Sequence, residues 1–307
     1  MINPRDIQVL PRLMLSPERG TSAGTEGSDE RPRRTIEEAM YQVLVVAITA
    51  IACIWFVTSA CSAEPIGAAG EKKTVAHELK ALLDPTILIR RIWLDSEWNK
   101  FKDDSRDLQQ TLGGAWAWRI SDRADWGVRL KIPFKRHLAG DADDEGDKRG
   151  LGDIELATGT AFRLSDTWRA GGGMQLRMPS GTDISDNTWR LQEFGAVAWD
   201  ARPWLTFSPS FEHNHSVAEQ RGAAPEHFLE LFFPAILLMP SQWAVTASYE
   251  PKIDFEKNSS WTHSAKLQLA KRLEELPLGF FLSIKKPFNG DKQFQVNFVS
   301  TYYFSSK

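Results

Sequence analysis

The feature that most constrains this chain is a period of two. From Trp168, the residues Trp168, Ala170, Gly172, Met174, Leu176 and Met178 fall on one face of an extended strand, and Arg169, Gly171, Gly173, Gln175 and Arg177 on the other. Trp126, Val128, Leu130, Ile132 and Phe134 oppose Gly127, Arg129, Lys131 and Lys135 in the same way. So do Ile154, Leu156, Thr158, Thr160 and Phe162 against Asp153, Glu155, Ala157, Gly159 and Arg163. Near the C-terminus, Phe294, Val296, Phe298 and Tyr302 oppose Gln295, Asn297, Thr301 and Tyr303. A helix cannot keep these sets apart.

The pattern predicts twelve strands, near 86–99, 108–120, 125–136, 151–164, 167–178, 188–199, 203–214, 226–239, 242–254, 260–273, 277–287 and 293–304. The first alternates poorly, and the sixth slips phase at Glu193, which suggests a bulge there. Connections after even-numbered strands are short, such as Ser165–Asp166 and Pro240–Ser241. Those after odd-numbered strands are mostly longer and polar, such as His137–Gly150 and His215–Pro225. Trp126, Trp168, Trp204 and Trp243 each open a strand after a short turn, while Trp118 and Trp199 close strands before one. An indole gains most at a headgroup boundary, where its ring is buried and its N–H is wet. By parity, Trp204 faces inward.

Strands of 10–14 residues, asymmetric loops and a tryptophan ring together predict an all-β fold. The expected architecture is a twelve-stranded antiparallel transmembrane β-barrel with short periplasmic turns and longer extracellular loops. The competing reading is a soluble periplasmic sandwich or barrel, since alternation alone does not say which face is inside. Closure favours the membrane barrel, because it satisfies every backbone group without water.

The run from Tyr41 to Ala63 carries no formal charge and follows Arg31, Arg33 and Arg34. It reads as a secretory signal, with cleavage after Ala63 as the plainest choice. A lipidated Cys61 and a retained anchor are the alternatives, since about 20 apolar residues span a bilayer. Residues 1–39 then form a polar extension or an over-extended reading frame, 40–63 the signal, 64–84 a periplasmic lead-in with a short helix, and 85–307 the barrel. The expected location is the bacterial outer membrane.

The 37 basic against 40 acidic residues argue against a nucleic-acid grip, and 42% hydrophobic residues exclude a disordered chain. Cys53 and Cys61 both lie in the apolar run, leaving the remainder with no disulfide framework or cysteine metal site.

Gly150-Leu151-Gly152-Asp153 opens a strand after the longest loop, and Leu176-Arg177-Met178-Pro179-Ser180-Gly181-Thr182 ends the next hairpin. This pair resembles the GLGD and LxLPTG signatures of the outer-membrane β-barrel porin family associated with the MetA pathway of phenol degradation. The resemblance covers roughly residues 85–304. It implies a barrel that moves small, often aromatic or hydrophobic, solutes. The chain departs from the pattern in Met178-Pro179-Ser180, where Leu-Pro-Thr is usual, and in the tail Ser305-Ser306-Lys307.

If the apolar faces meet lipid, the polar ones line a lumen. Arg129, Lys131, Lys135, Arg169, Arg177, Lys252, Lys266, Arg272 and Lys285 would share it with Asp153, Glu155, Gln175, Glu212, Glu230 and Glu250. Mixed signs predict cross-strand ion pairs and a charged conduit that orients a solute. The partners expected are outer-membrane lipids and lipopolysaccharide, the barrel-assembly machinery and a small solute, with no nucleic acid and no cofactor. A structural or adhesive barrel without an open pore is one alternative.

An outer-membrane lipid hydrolase is the other, invited by His213-Asn214-His215-Ser216. Neither histidine shares a strand face with Ser216 while the strand stays regular, so no triad forms. Asp141, Asp143, Asp144, Glu145 and Asp147 echo the start of a calcium loop, but Gly152 stands where that loop needs Glu. A solvated acidic loop is the plainer reading. His77, His137, His227 and His263 show no ligand spacing in sequence.

Overall fold

The computed structural model describes residues 70–139, 146–220 and 222–304. The signal run, both cysteines, most of the acidic loop and the three-residue tail lie outside the described residues. The chain opens with a helix, α1 (Gly70–Leu83). The first strands are β1 (Arg91–Phe101), β2 (Arg106–Ser121), β3 (Ala124–Leu138), β4 (Lys148–Leu151), β5 (Ile154–Arg163), β6 (Trp168–Met178) and β7 (Thr188–Arg202). There follow β8 (Leu205–Phe207), β9 (Ser210–Glu219), β10 (His227–Met239), β11 (Trp243–Asp254), β12 (Ser260–Arg272), β13 (Leu278–Pro287) and β14 (Lys292–Tyr303).

Every pairing is antiparallel between neighbours, and β14 pairs with β1 from Tyr303↔Arg91 to Phe294↔Lys100, so the sheet closes on itself. The fourteen segments make twelve staves, because β4 with β5 and β8 with β9 each form one interrupted stave. Proline accounts for both breaks. Pro133 of β3 has no N–H to give, and opposite it the chain parts at Gly152 and Asp153, where the Gly152 amide donates to the Pro133 carbonyl at 2.8 Å. Pro209 removes a donor from the broken stave itself, between β8 and β9.

The large apolar side chains point outward. Leu112 (53% exposed), Leu130 (42%), Met174 (52%), Leu267 (58%) and Ile284 (52%) face the surroundings, whereas Gln175 (2%), Gln192 (6%), Thr246 (5%) and Arg190 (5%) are enclosed. A soluble barrel would show the reverse. At the short-turn end the outward tryptophans stack in pairs: Trp118 on Trp126 at 4.9 Å and Trp168 on Trp199 at 5.8 Å. Trp243 is exposed at the same end. Trp204 falls in the turn between β7 and β8 rather than within a stave.

Two expectations need correction. Strand pairing begins at Arg91, and residues 86–90 are not in the sheet. No bulge sits at Glu193: β7 keeps its alternation through that residue, with Glu193 paired to Met174 on the outer face and Phe194 paired to Gly173 on the inner one. The apparent slip reflects an acid outside and a ring inside, not a change of geometry. The register shift lies between Trp189 and Arg190, opposite Ala218 and Ser216.

Helix α1 packs against the barrel. Leu79 is 2% exposed and packs with Ala244 and Ala270, and Leu82, Leu83, Leu238 and Phe281 surround them. By strand parity Leu238, Ala244, Ala270 and Phe281 face inward, so the helix rests inside the short-turn end of the barrel.

Candidate functional site

Alternation along each stave sets which side chains enter the lumen, and register sets which of them meet. Lys131 of β3 pairs with Glu155 of β5, which pairs with Arg177 of β6. The Glu155 carboxylate forms ion pairs with Lys131 at 2.8 Å and with Arg177 at 2.9 Å. One row on, the Arg129 guanidinium donates to Gln175 at 2.6 Å, and the Gln175 amide donates to Gln192 at 3.0 Å. On the opposite wall, Lys285 bridges Glu230 at 3.0 Å and Glu250 at 2.7 Å. Glu212 pairs across the ladder with Glu230, and Lys266 with Lys285, so like charges face each other in both pairs. Neither Glu212 nor Lys266 forms an ion pair with another described residue. The Lys252 ammonium lies 3.5 Å from the Phe228 ring.

A second network stands at the long-loop end. Asp186, in the β6–β7 loop, contacts Lys135 at 3.4 Å, Arg177 at 3.5 Å, and Arg190, which also pairs with Glu226. Burial alone would raise the Asp186 carboxyl; Lys135, Arg190 and Arg177 outweigh it and hold that group below the usual carboxylate range. Asp153, at the break beside β5, accepts the Ser185 hydroxyl at 2.5 Å.

At the short-turn end the wall meets α1 and the segment after it. Arg169 donates to Asp200 at 2.5 Å and to Asp84 at 2.8 Å, and Lys80 pairs with Asp200. Asp84 also accepts the Thr86 amide at 2.9 Å and the Thr86 hydroxyl at 2.6 Å. Arg272 donates to Glu78 at 2.7 Å, tying the helix to the far wall. Burial pulls Lys80 down, against its pairing with Asp200.

The segment beyond Asp84 divides the lumen. A cavity of ≈ 270 Å³ lies on its inner side, bounded by Ala115, Gly127, Ala157, Gly171, Phe194, Arg129 and Glu212. A second, of ≈ 680 Å³, opens toward the short turns beside Lys80, Arg163, Arg169 and Asp200. Ile87, Leu88 and Ile89 line both. Phe194, which lines the inner space, sits close over the wall: a Cβ on Gly173 would stand 2.1 Å from the Thr158 carbonyl oxygen and 2.8 Å from the Phe194 ring.

Of the residues expected to line the lumen, the structure brings Lys131, Glu155 and Arg177 into one group, Arg129 and Gln175 into a second, and Lys285, Glu230 and Glu250 into a third. Arg169 instead belongs to the helix anchor, and Asp153 to a loop contact. Missed in sequence were Asp84, Asp186, Asp200 and Trp93, an inward indole lying over Gly113. A carboxylate just past the helix was the available sign for Asp84. The hydrolase reading loses its geometry: His213 and His215 pair with Glu193 and Leu191 on the outer face, while Ser216 pairs with the enclosed Arg190.

No family model matches the chain, and no curated protein matches it. Solved structures do. An outer membrane channel from Pseudomonas putida F1 superposes with a TM-score of 0.61 at 14% identity, over 71% of this chain and 96% of that one. The NanC porin gives 0.45 at 10% identity, over 69% and 100% of the two chains. The KdgM porin gives 0.45 at 9% identity, over 70% and 99%. At such identities the likeness is one of fold, and the fold of this chain is that of a closed twelve-stranded outer-membrane barrel.

Proposed function

We propose that the chain is a channel of the bacterial outer membrane through which a small solute with an apolar body and a polar end passes down its gradient. One observation carries this reading: two cavities occupy the barrel interior, separated by the single chain segment Ile87–Ile89 rather than by a packed core. The inner cavity presents alanines, glycines, Leu88 and Phe194 to an apolar body, with Arg129 and Glu212 at its margin for a polar group. The charged groups beyond it, Lys131–Glu155–Arg177 and Glu230–Lys285–Glu250, offer a wet, oriented path to the long-loop end. The channel character of the Pseudomonas neighbour and the motif resemblance to a phenol-pathway porin family support the same reading, and the latter points to an aromatic solute. In this reading the outward apolar belt meets outer-membrane lipid and lipopolysaccharide, and the barrel-assembly machinery inserts the chain.

Liposome swelling tests it. Vesicles containing the folded barrel should admit phenol-sized acids and alcohols faster than protein-free vesicles, and faster than disaccharides. Flux no higher than in empty vesicles would overturn the proposal.

A further inference from the structure

Most ionic side chains that pair across these strands enter the lumen, but one group stands on the outer wall. Glu193 of β7 and His213 of β9 are register partners on the outer face, among Met174, Leu191 and Phe211. His215 lies two residues along β9 and so shares that face; His227 of β10 is paired with it. A carboxylate on a wall of this kind is costly unless its charge is neutralised.

The polar atoms converge. His213 Nδ1 lies 2.9 Å from Glu193 Oε2, and His215 Nδ1 lies 3.7 Å from the same oxygen. The three ligand atoms all fall within 4.8 Å of one another. His215 Nδ1 is buried and has no hydrogen-bond partner, although it faces a carboxylate oxygen shared with a second imidazole. On its other edge, His213 Nε2 lies 3.0 Å from His227 Nε2, and the His227 ring packs on Phe255 at 4.6 Å.

We infer that Glu193, His213 and His215 form a binding site for a divalent transition-metal ion of the zinc, nickel or copper class, on the outer wall toward the long-loop end. Two imidazoles and one carboxylate are the donor set such ions take, whereas calcium and magnesium prefer oxygen alone. Bonds of about 2.0–2.1 Å are usual for these ligands, so His215 has only a short distance to close. Metal on Nδ1 leaves the His213 Nε2–H to donate to His227 Nε2, which would fix the tautomer and the ring plane; His227 is the positioning residue. The ion would neutralise the half-buried carboxylate and tie β7 to β9 beside the register shift at Trp189 and Arg190. The inference is independent of the channel reading, since no atom of the site enters the lumen.

Cobalt(II) is the direct probe. The full-length barrel, free of any histidine tag and shown folded by heat-modifiable migration, should bind one equivalent, with visible ligand-field absorption that one equivalent of zinc abolishes. Millimolar calcium or magnesium should not displace it. His215→Ala and the near-isosteric Glu193→Gln should each weaken cobalt binding at least tenfold, and the double variant His213→Ala/His215→Ala should abolish it. His227→Ala should weaken it by about tenfold. His263→Ala, on the same outer face but hydrogen-bonded to Tyr249, should leave it unchanged. A folded wild-type barrel without saturable binding would overturn the inference. Binding that survives in the double variant, or that falls equally in His263→Ala, would overturn it as well.

Discussion

Asp84 and Arg169 meet 2.8 Å apart inside the barrel and fasten the end of α1 to the wall at β6. Asp84 is 1% exposed and also holds Thr86, so one carboxylate sets both the end of the helix and the entry of the segment that crosses the lumen. Arg169 keeps Asp200 as a second partner, which leaves its charge compensated if Asp84 is removed.

Asp84→Ala is therefore expected to free the crossing segment without collapsing the barrel. Loss of hydrogen bonds to a charged group costs about 1.5–3 kcal/mol each at most, and the closed sheet does not depend on them. In planar bilayers the variant should show larger and noisier single-channel current than wild type, with Asp84→Asn intermediate. Identical current in all three would mean that Ile87–Ile89 does not limit passage.

Glu155 neutralises two cations at once, so it sets the sign of the field in its row. Glu155→Gln leaves Lys131 and Arg177 without their shared counter-ion and should turn the lumen toward anions. In a potassium chloride gradient the reversal potential should move toward that of chloride. Asp107→Asn, far from this group at the loop end of β2, should leave it in place. An unmoved potential in Glu155→Gln would place the conducting path elsewhere.

Much of the architecture was legible in the sequence because a lipid-exposed strand writes its environment in single residues. Leu130 and Met174 had to be outward if Arg129, Lys131, Gln175 and Arg177 were inward, and they are. What sequence could not show was anything set by three-dimensional closure. Leu79 has helical neighbours only, and nothing local says that Ala244 and Ala270 wait for it across the chain. The break at Gly152–Asp153 needed the partner strand as well, because the proline that matters to it, Pro133, stands on the strand opposite. His213 and His215 carried the two-residue spacing that places both on one face, but their partner Glu193 became visible only through the register of β7 with β9. Rings inside the barrel, such as Phe194 and Trp93, break binary patterning and leave no periodic sign.

Phe194, which lines the inner cavity, lies over Gly159 and Gly173. A Cβ at position 173 would overlap both the Thr158 carbonyl oxygen and the Phe194 ring, and the backbone atom cannot swing aside as a flexible side chain could. Gly173→Ala should destabilise the barrel by about 1–3 kcal/mol, a cost of the overpacking kind. Denaturant unfolding in lipid vesicles would measure it. The same variant should slow solute entry, since the displaced ring moves within the cavity lining. Gly181→Ala is a poor control, because its φ of 76° carries strain of its own. Ala196→Gly, elsewhere in the cavity lining, is the better one and should not slow solute entry.

The orientation of the two faces can be tested by placing one charge on each. Leu130 lies near the middle of β3 and is 42% exposed on the outside, while Gln175 of β6 is 2% exposed on the inside beside Arg129 and Gln192. Arginine at the midplane of a lipid-facing wall costs about 2–4 kcal/mol. Leu130→Arg should therefore lower unfolding stability in vesicles by that amount, or reduce the yield of heat-modifiable barrel. Gln175→Glu adds a charge of opposite sign next to a guanidinium already in hydrogen-bond contact, so it should cost little and shift ion preference toward cations. If Leu130→Arg were tolerated in lipid while Gln175→Glu prevented assembly, the outward placement of the apolar faces would be wrong, and the lumen with it.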